Sequence, residues 1–207
     1  MPPSRRSKLP DGGVIEQAKD IFVHPKSKTP QGQGYMRARE LFWKTFPNGK
    51  YVRLPTPGDN MECAFYALRI SIRHQFPDYP PHKLPGMEEL RDVYFNGEMA
   101  RLNKELGLGE LNENDFFVDQ LSVVVSEWGE RRGEKWQLGY VTDGKLDEVD
   151  GSGLPAVLDT SKTVKASDEG GEEIIRRVWV YNDGLSLYGR VGHYEGMRAV
   201  REGEDTN

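Results

Sequence analysis

The residues best suited to chemistry are a cysteine, Cys63, and a histidine far along the chain, His193. Cys63 is the only cysteine among the 207 residues, and it follows the turn-forming run Gly58-Asp59-Asn60. Apolar residues recur at helical spacing from Cys63 onward, which predicts that the cysteine lies at the start of a helix. Backbone N–H groups and the positive end of the helix macrodipole stabilise a thiolate at that position. The position is therefore one at which a cysteine could act as a nucleophile.

The same loop and first turn could serve a second purpose. Their N–H groups can stabilise negative charge on a carbonyl oxygen that the sulfur attacks. These are two requirements of cysteine-based acyl transfer. A free cysteine is also commonly just a small buried hydrophobic residue, and that interpretation of Cys63 stays open.

A nucleophilic cysteine needs a base, and histidines occur at positions 24, 74, 82 and 193. His24 lies in an irregular stretch and His82 lies among prolines, so we expect both to be solvated. His74 falls at the far end of the cysteine helix, about 16 Å away by helical rise. His193 is the remaining candidate.

The neighbours of His193 suit this role. On a strand, His193 and Glu195 would share one face, so the carboxylate could orient the imidazole. A cysteine, a histidine base and a polar orienting residue are the parts of a thiol nucleophile. A structural histidine within a sheet is the alternative.

Helices are predicted in the first part of the chain and strands in the last. After a short helix that ends near Phe46, the pattern predicts helices from Cys63 to Gln75, from Glu88 to Leu106 with a weak point at Asn96-Gly97, and from Phe117 to Trp128. Strands are predicted at 136–141, 174–181 and 192–200. This order indicates an α+β domain with a small, largely antiparallel sheet packed against helices.

The domain organisation follows from composition. We expect residues 1–33 to form a mostly irregular arm and residues 34–200 to form one domain. Residues 142–173 are acidic and rich in glycine, which predicts a long loop. Residues 201–207 are expected to be a polar tail.

Charge and composition exclude several classes of function. The net charge of -5 and the pI near 5.5 argue against a nucleic-acid binder. No spacing of Cys and His fits a zinc site, and we expect no cofactor. With one cysteine and no apolar run of about 18 residues, the chain is expected to be a soluble cytoplasmic monomer without a membrane partner. The basic cluster at 4–8 leaves a nuclear location open.

The cysteine run Gly58–Leu68 resembles the cysteine loop of ovarian-tumour (OTU) domain deubiquitinases, whose usual form is Asp-Gly-Asn-Cys followed by an apolar helix. His193-Tyr194 resembles the histidine and aromatic pair of that family. The resemblance covers roughly Tyr51 to Val200, with a middle part similar in character to fungal-type OTU domains. It implies a papain-like OTU cysteine protease fold.

The chain departs from the family pattern in two places. Asp59 stands four residues before the cysteine instead of three, and Met61-Glu62 replaces Gly-Asn. The family commonly has Asn or Asp two residues after the histidine, where this chain has Glu195. Asp59 or Asn182 could therefore take the orienting role instead.

The resemblance also implies a mechanism and a partner. His193 would take the proton of Cys63, and the thiolate would attack the C-terminal glycine carbonyl of ubiquitin in an isopeptide bond. The implied oxyanion donors, besides Cys63 itself, are the amides of Asn60, Met61 and Glu62. The ubiquitin tail would lie against the segment before His193, with Tyr188, Gly192 and Tyr194 as substrate-binding residues.

Two other functions remain open. A Glu62 carboxylate turned inward would oppose thiolate formation, which favours a non-catalytic ubiquitin-binding module of the same fold. The protein could also be another papain-like acyl transferase or amidase.

Overall fold

The computed structural model describes most of the chain. The described residues are 7–8, 14–17, 41–42, 44–46, 50–58, 61–113, 116–145, 155–159, 174–183 and 193–204. Asp59, Asn60, Tyr188 and Gly192 lie outside these ranges, as do most of the N-terminal arm and most of the loop at 142–173.

Seven strands form one sheet within the described residues. They are β1 (Ser7–Lys8), β2 (Val14–Gln17), β3 (Lys50–Leu54), β4 (Lys135–Lys145), β5 (Pro155–Asp159), β6 (Ile175–Asn182) and β7 (Tyr194–Ala199). The order across the sheet is β1-β2-β3-β7-β6-β4-β5. Neighbouring strands are antiparallel except β4 and β6, which are parallel.

The helices precede most of the sheet in the chain. They are α1 (Met61–Gln75), α2 (Met87–Asn96), α3 (Glu98–Leu106) and α4 (Val118–Glu130), with a short 3-10 helix at Pro81–Lys83. Residues 41, 42, 44 and 45 are also helical. The predicted α+β class, a mostly antiparallel sheet packed against helices, is confirmed. No helix in the described part of the chain is long and apolar enough to cross a membrane.

The helix predicted from Glu88 to Leu106 divides at Gly97. A Cβ on Gly97 would lie 2.3 Å from the carbonyl oxygen of Val93 and 2.2 Å from the Glu127 carboxylate. Glu127 reaches from α4 and accepts a 2.6 Å hydrogen bond from the N–H of Glu98, which begins α3. The carboxylate therefore satisfies a free donor at a helix start.

Helix α1 is fixed to the sheet by polar side chains as well as apolar ones. The N–H of Met197 in β7 donates to Ser71 Oγ at 2.9 Å. The Gln75 side chain lies between β6 and β7, where it donates to the carbonyls of Trp179 and Met197 and accepts from the N–H of Trp179. These bonds place α1 across β7.

The two faces of the sheet bury different clusters. The face covered by α1 belongs to a large cluster that includes Cys63, Phe65, Val180 and Tyr194. The opposite face carries a smaller, mainly aromatic cluster: Phe42, Phe46, Tyr51, Val141, Trp179, Tyr181 and Met197.

Three segments that composition predicted as irregular contain structure. Strands β1 and β2 lie within 1–33, and β2 pairs with β3. Strand β5 lies within the acidic loop and pairs with β4. A strand edge offers free N–H and C=O groups that a short segment can satisfy, which composition does not reveal. In the tail, Glu204 binds Arg198 of β7.

Candidate functional site

Cys63 is the third residue of α1 and lies in its first turn, as the sequence predicted. Its exposed fraction is 1%, and apolar residues of α1 surround it in the larger core cluster. One donor of this turn is already engaged, because the N–H of Met61 donates to the carbonyl of Glu113 at 3.3 Å. The sulfur thus lies at a helix start but beneath the surface.

The loop that leads to Cys63 is bound to the strand that follows His193. Strand β3 runs antiparallel to β7 as far as the pair Leu54 and Gly196. Just beyond it, Thr56 Oγ1 donates a buried 2.5 Å hydrogen bond to the carbonyl of Tyr194. The chain then turns into α1, so one hydrogen bond joins the cysteine loop to the residue next to His193.

Gly58 brings this loop back over the start of α1. Its φ is 94°, a left-handed conformation that glycine adopts at low cost. A Cβ there would lie 2.9 Å from Glu62 Cβ and 3.4 Å from the backbone N of Cys63. A side chain at position 58 would therefore press against Glu62 at the start of α1.

Glu62 directs its carboxylate to the surface. Glu62 Oε1 is 2.7 Å from Arg91 NH2, and the Glu62 side chain is 45% exposed. Arg91 also binds Glu113 at 2.5 Å. Hydrogen bonds to Glu113 and Glu62 raise the pKa of Arg91 above its ordinary value, so the arginine stays charged. The Glu62 carboxylate is therefore half-exposed and paired with Arg91 through Oε1, while its Oε2 lies beside Gly58.

His193 comes directly before β7 at one end of the sheet. Its carbonyl accepts a 3.1 Å hydrogen bond from the N–H of Asp183, and the residue is partly exposed. The pair of His193 and Asp183 continues the antiparallel register of β6 and β7, in which Asn182 stands opposite Tyr194. Asn182 is buried, with 1% exposed.

Glu195, the predicted orienting residue, has another strong partner. Glu195 Oε2 accepts a 2.6 Å hydrogen bond from Arg53 Nε. The guanidinium carbon of Arg53 lies 3.6 Å from the centroid of the Tyr181 ring, which adds a cation–π contact. Glu195 is therefore part of a buried ion pair on the sheet.

Tyr194 is a core residue in this structure. It is fully buried, its ring contacts Phe116 edge-on, and its hydroxyl lies 3.5 Å from the Phe116 carbonyl. Burial raises the pKa of the Tyr194 hydroxyl well above its usual value, and the charge of Cys63 adds to the rise. Tyr194 and Cys63 belong to the same core cluster under α1.

The structure thus brings the cysteine loop and the histidine strand together, while four predicted site residues, Asp59, Asn60, Tyr188 and Gly192, lie outside the described ranges. Sequence reasoning missed Thr56, Arg53 and Arg91. Arg53 and Arg91 bind partners 142 and 29 residues away, and no local spacing signals such pairs. Within the described residues, no group of three or more His, Cys, Asp or Glu side chains could hold a metal ion.

The chain has little similarity to known proteins. No family model and no curated protein matches the chain. A solved structure of the OTU domain of OTUD1 is similar at 15% identity and a TM-score of 0.33, covering 80% of this chain and 95% of that one. The assignment of a function therefore depends on the contacts around Cys63 and His193.

Proposed function

We propose that the protein is an OTU-like cysteine isopeptidase that cleaves ubiquitin, or a related modifier, from other proteins. The observation that carries this proposal is the Thr56 hydrogen bond to Tyr194, which ties the loop of Cys63 to the strand of His193. The resemblance of the run Gly58–Leu68 to OTU cysteine loops gives the substrate class. A protein of this kind would work in the cytoplasm or the nucleus.

The proposed chemistry uses the first turn of α1. His193 removes the proton of the Cys63 thiol, and the sulfur attacks the carbonyl carbon of the ubiquitin C-terminal glycine. The substrate lysine leaves as an amine with the proton from His193, and water then hydrolyses the thioester. The amides of Cys63, Glu62 and Asn60 are the proposed oxyanion donors, since the Met61 N–H already binds Glu113.

The geometry sets a requirement for His193. Alternation along β7 places Tyr194 and Gly196 towards α1 and places Glu195 on the other face with Arg53. If His193 continues this alternation, its side chain projects from the same face of the sheet as Glu195. The imidazole must therefore reach around the end of the sheet to Cys63, and Asn182, which stands opposite Tyr194, is better placed than Glu195 to orient it. Asp59 stays a second proposed orienting residue.

Access to the sulfur sets a second requirement. Cys63 is 1% exposed, and the carbonyl of Glu113 lies on the first turn of its helix. A bound ubiquitin tail must displace part of the cover over this turn before the sulfur can react.

The same two facts favour a second candidate, a ubiquitin-binding module without catalysis. In that case Cys63 is a packing residue, and the contact of Glu113 with Met61 is permanent. The resemblance would then describe an ancestry and a binding surface, without an active site.

One experiment separates the two candidates. The protein is mixed with ubiquitin that carries a cysteine-reactive group at its C terminus. We expect the wild-type protein to form a covalent adduct, Cys63→Ala to form none, and His193→Ala to form it at least tenfold more slowly. His74→Ala is the matched control, because His74 is also a histidine but lies at the C-terminal end of α1.

The opposite outcomes are equally clear. Binding of ubiquitin without an adduct at any pH would replace the isopeptidase with the binding module. An adduct that forms at the same rate in the His193→Ala and His74→Ala proteins would remove His193 from the mechanism. Reaction with small acyl donors and indifference to ubiquitin would indicate an acyl transferase or amidase.

A further inference from the structure

Strands β3 and β7 are joined by one more bond beyond the end of their ladder. The ladder ends at the pair Leu54 and Gly196. Continuing this register by two residues places Thr56 opposite Tyr194, where Thr56 Oγ1 donates to the Tyr194 carbonyl. In an antiparallel pair, every second residue directs both its backbone N–H and its C=O to the same neighbouring strand. A side-chain hydroxyl therefore extends this ladder by one link, directly before the loop of Cys63.

The residues on either side of Thr56 make its side chain a suitable donor. Both are prolines, Pro55 and Pro57, which have no backbone N–H and a fixed φ. A residue before a proline is confined to extended conformations, which limits the directions open to the Thr56 side chain. Thr56 is 8% exposed and Tyr194 is fully buried, so the Tyr194 carbonyl needs a donor from the protein. The hydroxyl supplies it from a backbone with little conformational freedom.

The start of β7 is also held from its other side. The N–H of Asp183 donates to the carbonyl of His193 at 3.1 Å. In the ladder of β6 and β7, Asn182 stands opposite Tyr194. Successive carbonyls thus bind opposite neighbours: that of His193 binds the residue after β6, and that of Tyr194 binds Thr56. Together the two bonds fix the backbone from which the His193 side chain projects.

The position of His193 makes this support important. His193 comes directly before β7, which begins at Tyr194, and strand ends open more readily than strand centres. A general base must come within about 3 Å of the group whose proton it removes. A misplacement of about 1 Å can slow a reaction about a hundredfold. Loosening of the Tyr194 carbonyl would therefore affect the imidazole of the preceding residue first.

We propose that Thr56 is a positioning residue for His193: its hydroxyl holds the Tyr194 carbonyl, and this bond fixes the backbone that carries the imidazole. The inference rests on the proposed function, in which His193 is the base for Cys63. It adds that the rate of the reaction depends on a hydroxyl of the cysteine loop that acts through the histidine strand.

The test compares Thr56→Val, which keeps the size of the side chain and removes the hydroxyl, with Thr56→Ser, which keeps the hydroxyl. Thr56→Val is also made in the His193→Ala chain. Thr45→Val is the matched control, because Thr45 Oγ1 also donates to a backbone carbonyl, that of Leu41 at 3.0 Å, but in an exposed position. Melting temperatures show whether each variant is folded.

Two quantities are measured for each protein. The first is the rate of adduct formation with ubiquitin that carries a cysteine-reactive group at its C terminus. The second is the hydrogen exchange of two backbone amides by NMR: that of Asp183, which binds His193, and that of Met197, which binds Ser71 Oγ further along β7. The exchange measurement involves no ubiquitin and no reaction, so it does not depend on the proposed function.

We expect Thr56→Val to form the adduct on the order of tenfold more slowly, because the base is no longer held in place. Its Asp183 amide should exchange at least about tenfold faster, while the Met197 amide exchanges as in the wild-type protein. Thr56→Ser and Thr45→Val should stay close to the wild-type protein in both measurements. In the His193→Ala chain, Thr56→Val should cause no further slowing, since the residue through which it acts is gone.

Three results would overturn the proposal. One is a Thr56→Val protein that behaves like Thr45→Val in either measurement. Another is a Thr56→Ser protein as impaired as Thr56→Val, because the hydroxyl would then not account for the effect. The third is an equal slowing by Thr56→Val in the His193→Ala chain, which would mean that the bond acts on the cysteine loop instead. If the wild-type protein forms no adduct, the isopeptidase proposal fails, and the exchange of Asp183 still decides whether Thr56 holds the backbone of His193.

Discussion

The two faces of the sheet hold their charged groups differently. On the face covered by α1, Cys63 and Tyr194 lie in a large apolar cluster, and the acidic residues Glu62 and Glu113 remain near the surface. On the opposite face, the pair of Arg53 and Glu195 is itself largely buried, next to the ring of Tyr181.

This difference indicates which acidic residues serve stability and which could serve catalysis. A carboxylate paired at 2.6 Å with a buried arginine is held by that partner, so Glu195 is better suited to stability than to catalysis. On the α1 face, the charged cluster beside Cys63 lies nearer the surface, and the buried Arg198 is four residues further along β7 from Tyr194, where it is paired with Glu204. Each of the following variants tests one side of this contrast.

The largest effect is expected from Glu195→Ala on the face away from α1. The Arg53 side chain is 8% exposed, and Glu195→Ala would remove the carboxylate that pairs with this buried charge. We expect the free energy of unfolding to fall by about 3 kcal/mol or more in urea denaturation. The double variant Arg53→Met/Glu195→Leu should recover much of this loss.

Glu98→Gln, at the exposed pair with Arg101, is the matched control and should cost less than about 0.5 kcal/mol. A Glu195→Ala protein of unchanged stability but with no reactivity towards ubiquitin would reverse the assignment and make Glu195 the orienting residue.

Gly139→Ala on the same face should have the next largest effect. Its new Cβ would lie 2.4 Å from the Trp179 ring, which is fully buried and packed edge-on against Phe42. Since the ring is fully buried against its neighbours, we expect a loss of about 2–3 kcal/mol. The double variant Gly139→Ala/Trp179→Leu should lose less free energy of unfolding than the sum of the losses of the two single variants. Strictly additive losses would mean that the ring moves freely.

Gly196→Ala makes the equivalent change on the α1 face. A Cβ there would lie 2.8 Å from Ile70 Cγ2 and 3.2 Å from Ile70 Cβ. Ile70 is only partly buried and can shift, so a smaller loss of about 1–2 kcal/mol is expected. Thermal unfolding of Gly196→Ala with and without Ile70→Ala measures it. A loss larger than that of Gly139→Ala would show that α1 packs more rigidly on its face of the sheet than the aromatic cluster does on the opposite face.

The smallest effect concerns the pair of Arg198 and Glu204, on the α1 side of β7. The hydrogen bond from Arg198 lowers the pKa of Glu204 from 4.5 to about 2. A lowered pKa gives stability that is fully present above pH 4.5 and is lost as the pH falls towards 2. Because Glu204→Gln keeps an oxygen that can accept from Arg198, it should cost only about 1 kcal/mol near neutral pH, and this cost should fade as the pH falls towards 2. A cost that persists in acid would indicate lost packing instead.

The sequence predicted those parts of the fold that depend on local patterns. The apolar spacing after Cys63 predicted α1 from its first turn to Gln75, and alternation predicted the strands that became β4, β6 and β7. The weakness at Asn96-Gly97 marked the actual break between α2 and α3. Pairing of β2 and β5 with strand edges was missed because these strands have only four and five residues, and each lies in a stretch whose composition predicts irregular structure.

The candidate site was predictable only in part for the same reason. The helix of Cys63 and its start depend on neighbouring residues, so the sequence is sufficient to predict them. The partner of Glu62 is 29 residues away and the partner of Glu195 is 142 residues away. Long-range ion pairs depend on the finished packing, so the sequence offered Glu195 as a partner of His193 on spacing alone.

The amide of Gln75 has a further consequence for motion at the other end of α1. The amide bridges the backbones of β6 and β7 at Trp179 and Met197, with hydrogen bonds of 2.7, 2.8 and 2.9 Å. Sliding of the helix along its own axis would break all three at once. Any movement that exposes the sulfur must therefore come from the loops on either side, while the helix itself stays in register with the sheet.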